Sequence, residues 1–86
     1  MSVKNIEAII TPISFRLDNA IITIYEVNKS KLISGDTWYH VHLDIRIGKY
    51  RSQRFTLDVR NMKELKKKLL VEISKFKMLI LLGVKT

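Results

Sequence analysis

Apolar and polar residues alternate over much of the chain before residue 60, which is the pattern of β-strands with one buried face. The alternation predicts strands at about 13–17, 20–27, 38–47 and 51–59. In the third strand Tyr39, Val41 and Leu43 share one face, and the two histidines between them point to the other. Each strand is therefore expected to turn one side to a core and the other to solvent.

A tight turn is predicted between the first two strands. Asp18 and Asn19 tolerate positive φ, as a two-residue hairpin turn requires. This turn pairs Phe15 with Ile22, apolar against apolar, which supports the register.

Two other segments leave alternatives open. Residues 3–10 fit either one helical turn or an extension of the first strand. Residues 28–37 fit either a loop or the ends of two long curved strands that meet at Gly35 and Asp36.

The turn between the last two predicted strands decides which residues oppose each other. A three-residue turn at 48–50 sets Leu43 against Phe55 and His40 against Asp58, whereas a two-residue turn mixes apolar and polar faces. We therefore predict the three-residue turn, with favourable cross-strand pairs on both faces.

The last third of the chain has helical periodicity and predicts one helix at about 62–82. Asn61 is a suitable N-cap, and Glu64 stands where a capping-box partner belongs. The end of the helix, MLILL at 78–82, is apolar all round, so a second subunit is expected to bury it. The residues predicted at this homodimer interface are Phe76, Met78, Leu79, Ile80 and Leu82.

The order of elements predicts the fold class. Four strands followed by one helix indicate a single α+β domain over residues 1–86: a curved four-stranded antiparallel sheet with an amphipathic C-terminal helix packed on one face. At this length the core is small, which also favours dimerisation.

Composition adds a strong positive charge to this picture. The 86 residues include 16 Lys and Arg against 8 Asp and Glu, for a net charge of +8. Such an excess favours polyanions, with nucleic acid first and an anionic membrane surface second, although Lys-rich surfaces also serve solubility. The abundance of Ile and Lys is compatible with an AT-rich, thermophilic source.

The termini and the absence of cysteine limit the class of protein further. No Cys is present, which excludes disulfides and thiolate metal sites. The longest apolar run, 78–84, is too short to span a membrane, and the first residues lack a secretory signal. We expect a protein of the cytoplasm, or of the host cytoplasm or virion if it is viral, with no membrane partner.

The stretch WYHVHLDIR raises the question of a metal or catalytic site. His40, His42 and Asp44 share one face of the third strand. Further ligands are scarce there, and Arg54 is expected opposite Asp44, so a solvated polar face is the simpler interpretation. Neither a nucleophile motif nor a phosphate-binding loop is present. We expect no metal, no other cofactor, no small-molecule substrate and no enzymatic activity.

The residues that favour function are basic and aromatic. Arginine and lysine neutralise phosphates, and aromatic rings stack on unpaired bases. Aromatic residues are also enriched at protein interfaces, so Tyr25 and Trp38 could equally lie in a dimer contact or under the N-terminal segment. The predicted nucleic-acid-binding residues are Arg16, Tyr25, Trp38, His40, His42, Arg46, Lys49, Tyr50, Arg51 and Arg54.

The segment RSQRFTLDVRNMKELKKKLLVEI at 51–73 resembles the closing segment of the positive-cofactor-four family of transcription coactivators. The order of four strands and a helix, the small size and the basic charge are similar to that family and to Whirly domains. The resemblance implies homodimerisation through the helices and single-stranded nucleic acid held along curved sheets. This chain departs from the family at SQRF, where a Lys and a Gly usually stand, and in the early helix, where Met62 or Leu65 replaces an aromatic residue.

Together these observations predict a homodimer that binds single-stranded DNA or RNA without strong sequence preference, with a role in transcription or replication. The alternative is a protein-interaction module, either a regulator or a viral accessory protein. It would use the apolar helix end and the sheet face.

Overall fold

The sheet and the helix occupy almost the whole described chain. The computed structural model describes residues 3–8 and 12–83. In chain order the elements are β1 (Val3–Ala8), β2 (Ile13–Leu17), β3 (Ala20–Leu32), β4 (Thr37–Ile47), β5 (Tyr50–Arg51), β6 (Phe55–Val59) and α1 (Met62–Leu81). The strands pair antiparallel in one open sheet, and α1 packs against it. The predicted α+β class is confirmed.

Strand β3 is the centre of the sheet and pairs along most of its length with β4. Its other edge is shared by two short strands, since β2 pairs with residues 20–24 and β1 with residues 28–32. Residues 3–8 thus extend the edge formed by β2, in line with the strand alternative, while residues 9 and 10 lie outside the described residues.

The polar segment at 28–37 belongs mostly to the strands. β3 continues five residues past its predicted end, and β4 begins at Thr37. The Gly35 N–H donates to the Leu32 carbonyl at 2.9 Å and the Leu32 N–H donates to the Asp36 carbonyl at 2.8 Å. Gly35 has φ +99, a conformation that glycine adopts without strain. The alternative of two long strands that meet at Gly35 is the correct one.

The hairpin between β2 and β3 has the predicted turn. Asp18 and Asn19 have φ of 48° and 64°, the left-handed conformation that a type I′ turn needs at both positions. Phe15 lies opposite Ile22 as expected from the alternation.

The turn after β4 is shorter than predicted. Ile47 pairs with Tyr50, so the turn contains only Gly48 and Lys49, and the three-residue turn was wrong. Leu43 nevertheless opposes Phe55 as predicted. The shorter turn and the predicted pairing occur together because one extra residue is accommodated between β5 and β6. This bulge shifts the register of β6 against β4 by one residue.

The core lies between one face of the sheet and the helix. Helix α1 begins after Asn61, whose side chain accepts the Glu64 N–H at 2.8 Å, and it ends one residue before the predicted position. The Glu64 carboxylate accepts the Arg60 N–H at 3.1 Å, one residue before the expected capping-box partner. The buried core residues are Ala20, Ile22, Ile24, Val27, Val41, Leu43, Ile45, Val59, Leu65, Leu69, Ile73 and Phe76.

Candidate nucleic-acid interface

The face of the sheet turned away from α1, here called the outer face, carries three arginines in one row. The ladders place Arg16 opposite Ile21, Ile21 opposite Arg46, and Arg46 opposite Arg51. Residues opposite each other in a ladder point to the same side, and neighbouring strands lie about 4.8 Å apart. Arg16, Arg46 and Arg51, all exposed, therefore form a positive row across four strands, here called the arginine row.

The tip of the β4–β5 hairpin contributes less to this face than predicted. Tyr50 opposes Ile47, so it points to the helix side of the ladder, away from Arg51. The Lys49 ammonium lies 5.5 Å from the centroid of the Tyr50 ring. The hairpin tip therefore directs Tyr50 away from the outer face, with the Lys49 ammonium beside its ring.

Two irregularities in neighbouring strands bring Arg54 and Tyr25 together. In β3 the register shifts between Ile24 and Glu26, so Tyr25 is the extra residue of a bulge. Between β5 and β6 the register shifts again. Arg51 and Arg54 are three residues apart and would face opposite sides in a regular strand. The second shift puts both on the outer face, where the Arg54 guanidinium carbon lies 3.7 Å from the Tyr25 ring centroid.

Ser52 supports the shift between β5 and β6. Its backbone N–H donates to the Ile45 carbonyl at 2.8 Å, and its hydroxyl accepts the Ile45 N–H at 2.9 Å. The hydroxyl itself donates to the Gln53 carbonyl at 3.0 Å. A side-chain oxygen thus satisfies the N–H of a residue that is only 1% exposed.

Asp44 departs from the prediction most clearly. It was expected on a solvated face, but it is 3% exposed. The ladders of β4 with β5 and β6 end on either side of Asp44, so its pairing with Arg54 stays a prediction. Asp44 Oδ2 accepts the Tyr25 hydroxyl at 2.6 Å and lies 3.9 Å from the Arg51 Nε. Its Oδ1 has no hydrogen-bond partner among the described residues.

The contact with Asp44 changes the acidity of Tyr25. The hydrogen bond to Asp44 raises the pKa of Tyr25 above its usual value, with desolvation and the carboxylate's charge acting in the same direction. The arginines at 51 and 54 oppose this shift. The hydrogen bond to Asp44 also holds the Tyr25 ring beside the Arg54 guanidinium.

His42 occupies the next rung of the outer face. Its Nδ1 lies 2.9 Å from the Thr56 Oγ1, and its Nε2 lies 3.1 Å from the Asn28 Nδ2. Because an amide nitrogen only donates, Nε2 is the acceptor, which leaves Nδ1–H to donate to Thr56. The Glu26 carboxylate lies 3.7 Å from the same Nε2.

His40 forms the most unusual contacts of the outer face. Its Nε2 lies 2.7 Å from the Ser30 Oγ and its Nδ1 lies 2.6 Å from the Asp58 Oδ1. A Ser-His-Asp catalytic triad has the same sequence of hydrogen bonds. Ser30, however, is 4% exposed and lies near the C-terminal end of β3 with a paired strand on either side. A nucleophile needs access and oxyanion donors, whereas backbone groups at this position serve the sheet. The network therefore fixes the His40 ring.

Neither histidine is arranged with other ligands as in a metal site. Within residues 12–83 and 3–8, no group of three His, Cys, Asp or Glu side chains is placed to hold a metal ion. His40 and His42 both lie on the outer face as predicted by alternation. Each is hydrogen-bonded to one residue of its own rung, Asp58 or Thr56, and to one residue of a neighbouring rung, Ser30 or Asn28.

Trp38 lies at the far end of the outer face from the arginine row and is half-buried. The Arg60 guanidinium carbon is 5.1 Å from the centroid of its ring. The prediction missed Arg60, because its position after β6 places it beside Trp38 only in the folded sheet.

A polar cleft of about 420 Å³ opens on the outer face between β3, β4 and the start of β6. Its lining residues are Tyr25, Glu26, His42, Arg54, Phe55 and Thr56. On the helix side, a separate apolar groove of about 660 Å³ runs between β2 and the start of α1. The residues lining this groove include Ile13, Phe15, Val27, Tyr39, Met62 and Leu65.

The predicted dimer residues fall on two sides of α1. Phe76 is 5% exposed and Ile80 is partly buried, and both pack against the sheet within the same chain. Met78, Leu79 and Leu82 are exposed. Val71 and Leu81, which the prediction left out, are exposed as well. Spacings of 7 and 11 residues put Val71, Met78 and Leu82 on one side of the helix, here called the outward stripe.

Comparison of the chain with family models, with curated proteins and with solved structures finds no match. In the described part of the chain, no helix is both long enough and apolar enough to cross a membrane.

Proposed function

We propose that the outer face binds single-stranded DNA or RNA without strong sequence preference, in a homodimer. The observation that carries the proposal is the arginine row. Arg16 and Arg46 form no ion pair within the described residues, so both guanidinium groups are available to phosphates. Arg51 lies beside the Asp44 carboxylate, so Arg16 and Arg46 are the members of the arginine row best placed to neutralise a phosphate backbone.

The form of the outer face favours a single strand over a duplex. The one helix among the described elements packs on the opposite face of the sheet, whereas readers of the major groove insert a helix or a two-stranded ribbon. A sheet surface instead accepts unstacked bases, as in sheet-based RNA-binding modules. The guanidinium of Arg54 stacked on Tyr25 and the half-buried Trp38 offer flat surfaces for them.

A salt titration with a labelled single-stranded oligonucleotide tests the proposal. For the variant Arg16→Ala/Arg46→Ala we expect weaker binding and a slope of log K against log salt that falls by about 0.7 for each lost phosphate contact. The matched control is Lys66→Ala/Lys67→Ala, which removes the same charge from exposed positions on α1. We expect the control to keep most of the slope.

Two results would contradict the proposal. The first is the absence of binding to single-stranded oligonucleotides at low salt. The second is an equal loss of affinity in both double variants, which would assign the binding to net charge alone.

The homodimer part of the proposal is supported by the outward stripe. Leu81 is 82% exposed, and together with Val71, Met78 and Leu82 it leaves the C-terminal half of α1 with apolar side chains in water. A second copy that packs its own helix there would cover both stripes. This contact would leave the outer face of each sheet open.

Substitution of Met78 tests the dimer. We expect Met78→Asp to convert a dimer to a folded monomer in light scattering, because the side chain is exposed in the single chain and its loss leaves the core intact. Met62→Asp, at an exposed methionine on the other end of α1, is the control. A dimer that survives Met78→Asp and is broken by Met62→Asp would assign the contact to the apolar groove.

A protein-interaction module remains the second candidate, because of the apolar groove. Its volume of about 660 Å³ and its exposed Ile13, Phe15 and Met62 give it the size and apolar character of a docking site. Unchanged nucleic-acid affinity in Arg46→Ala/Arg54→Ala would favour this function over the first.

A further inference from the structure

We infer that the polar cleft beside Arg54 is a subsite for a single unstacked base and that it favours guanine. The inference rests on the proposed binding of single-stranded nucleic acid and names the one position at which the base is read. The cleft brings the cation of Arg54 and the carboxylate of Glu26 together with the Tyr25 ring in about 420 Å³. A volume of this size is typical of small-ligand sites.

Arg54 is prepared to donate hydrogen bonds into the cleft. Its guanidinium carbon lies 3.7 Å from the centroid of the Tyr25 ring, and Arg54 forms no ion pair within the described residues. Stacking uses the plane of the guanidinium and leaves the N–H donors at its edge. The Tyr25 hydroxyl donates a hydrogen bond to the buried Asp44, which fixes the position of the ring that Arg54 contacts.

Glu26 supplies the acceptor. One of its oxygens, Oε1, accepts the Asn28 side-chain N–H at 3.0 Å and lies 3.7 Å from the His42 Nε2. A carboxylate has about four acceptor positions, so this contact orients Glu26 without exhausting it. The side chain is half-exposed at the rim, where an incoming base would meet it.

Guanine is the base that matches both groups. Its O6 and N7 are adjacent acceptors that arginine contacts in bidentate fashion, and its N1–H and N2–H₂ are adjacent donors suited to a carboxylate. Thymine offers the carboxylate a single N3–H between two carbonyl oxygens and has no acceptor pair like O6 and N7, and adenine replaces O6 with an amino group that faces the arginine. Cytosine offers its N4–H₂ to a carboxylate but has no acceptor pair like O6 and N7. The arginine row contacts phosphates and does not discriminate between bases, so the preference for guanine is confined to the nucleotide bound in the cleft.

The test uses oligothymidylate of fixed length with one central residue replaced by dG, dA or dC, in competition against the all-thymidine strand. A single dG cannot form a four-stranded assembly, so the comparison reports recognition of the base. We expect dG to bind on the order of tenfold tighter than dT, and 7-deaza-dG, which lacks N7, to lose most of this advantage. In Glu26→Gln the ratio of dG to dT affinity should fall close to one, whereas the control Glu72→Gln on α1 should keep it.

The outcomes separate this inference from the proposed function. Equal affinity for all four strands would overturn the subsite and leave the arginine row in place. A dG preference that persists in Glu26→Gln, or that 7-deaza-dG retains in full, would also overturn it. Absence of binding to every strand would overturn both the subsite and the proposed function.

Discussion

The Ser52 hydroxyl is expected to stabilise the fold, because it accepts a backbone hydrogen bond at the register shift between β5 and β6. The Ile45 N–H is buried and donates to Ser52 Oγ at 2.9 Å. Ser52→Ala removes that acceptor, and a buried N–H without a partner costs about 1–3 kcal/mol. We therefore expect the free energy of unfolding to fall by that amount and the Ile45 amide to lose protection from hydrogen exchange.

Ser14→Ala is the matched control for Ser52→Ala. The Ser14 hydroxyl is also hydrogen-bonded, to the Thr23 hydroxyl at 3.0 Å, but this contact is exposed and its loss should change stability by no more than about 0.5 kcal/mol. Urea unfolding of both variants at one protein concentration gives the comparison. Equal stability of the two variants, with the Ile45 amide still protected, would refute the role assigned to Ser52.

Loss of Ser52 should also affect the outer face. The register shift puts Arg54 on the side of Arg51, so a variant that relaxes the shift loosens the stack of Arg54 on Tyr25. We expect Ser52→Ala to weaken the preference for dG, while Ser14→Ala leaves it unchanged. This links a backbone irregularity to the proposed recognition of a base.

Three further predictions concern the core, the first hairpin and Tyr25. Ile73 is fully buried, so Ile73→Ala should lower the free energy of unfolding by about 2–5 kcal/mol in urea titration. Asn19 has φ of 64°, so Asn19→Ala should cost about 1 kcal/mol and Asn19→Gly much less. Because the pKa of Tyr25 is raised in the folded state, its contribution to stability is present below its unfolded pKa near 10 and is lost as the pH rises through the folded value. Ultraviolet titration should show one late tyrosine that returns toward its ordinary pKa in Asp44→Asn.

The element types and faces could be predicted from the sequence because they depend on local periodicity. Alternation placed Val41 and Leu43 in the core and His40 and His42 on the outer face, as observed. The turn at Asp18-Asn19 was equally local, since both residues tolerate the left-handed conformation.

The register after β4 could be predicted only in part. The pairing of Leu43 with Phe55 was correct, but a longer turn was invoked to obtain it. A two-residue turn followed by an extra residue in the strand gives the same downstream pairs. Which of the two occurs depends on whether the Ser52 hydroxyl replaces a backbone acceptor, and the hydropathy pattern carries no information about that.

The sequence by itself determined an α+β chain with a basic, partly aromatic polar face and an amphipathic helix, because periodicity and charge belong to individual residues and near neighbours. Only the tertiary structure decided that Asp44 is buried beneath Tyr25, that Arg54 stacks on that ring, and that Phe76 faces the core. These features depend on two register shifts in strands distant in sequence and on the side of the helix that meets the sheet. Contacts between residues far apart in the chain set both, so alternation alone does not specify them.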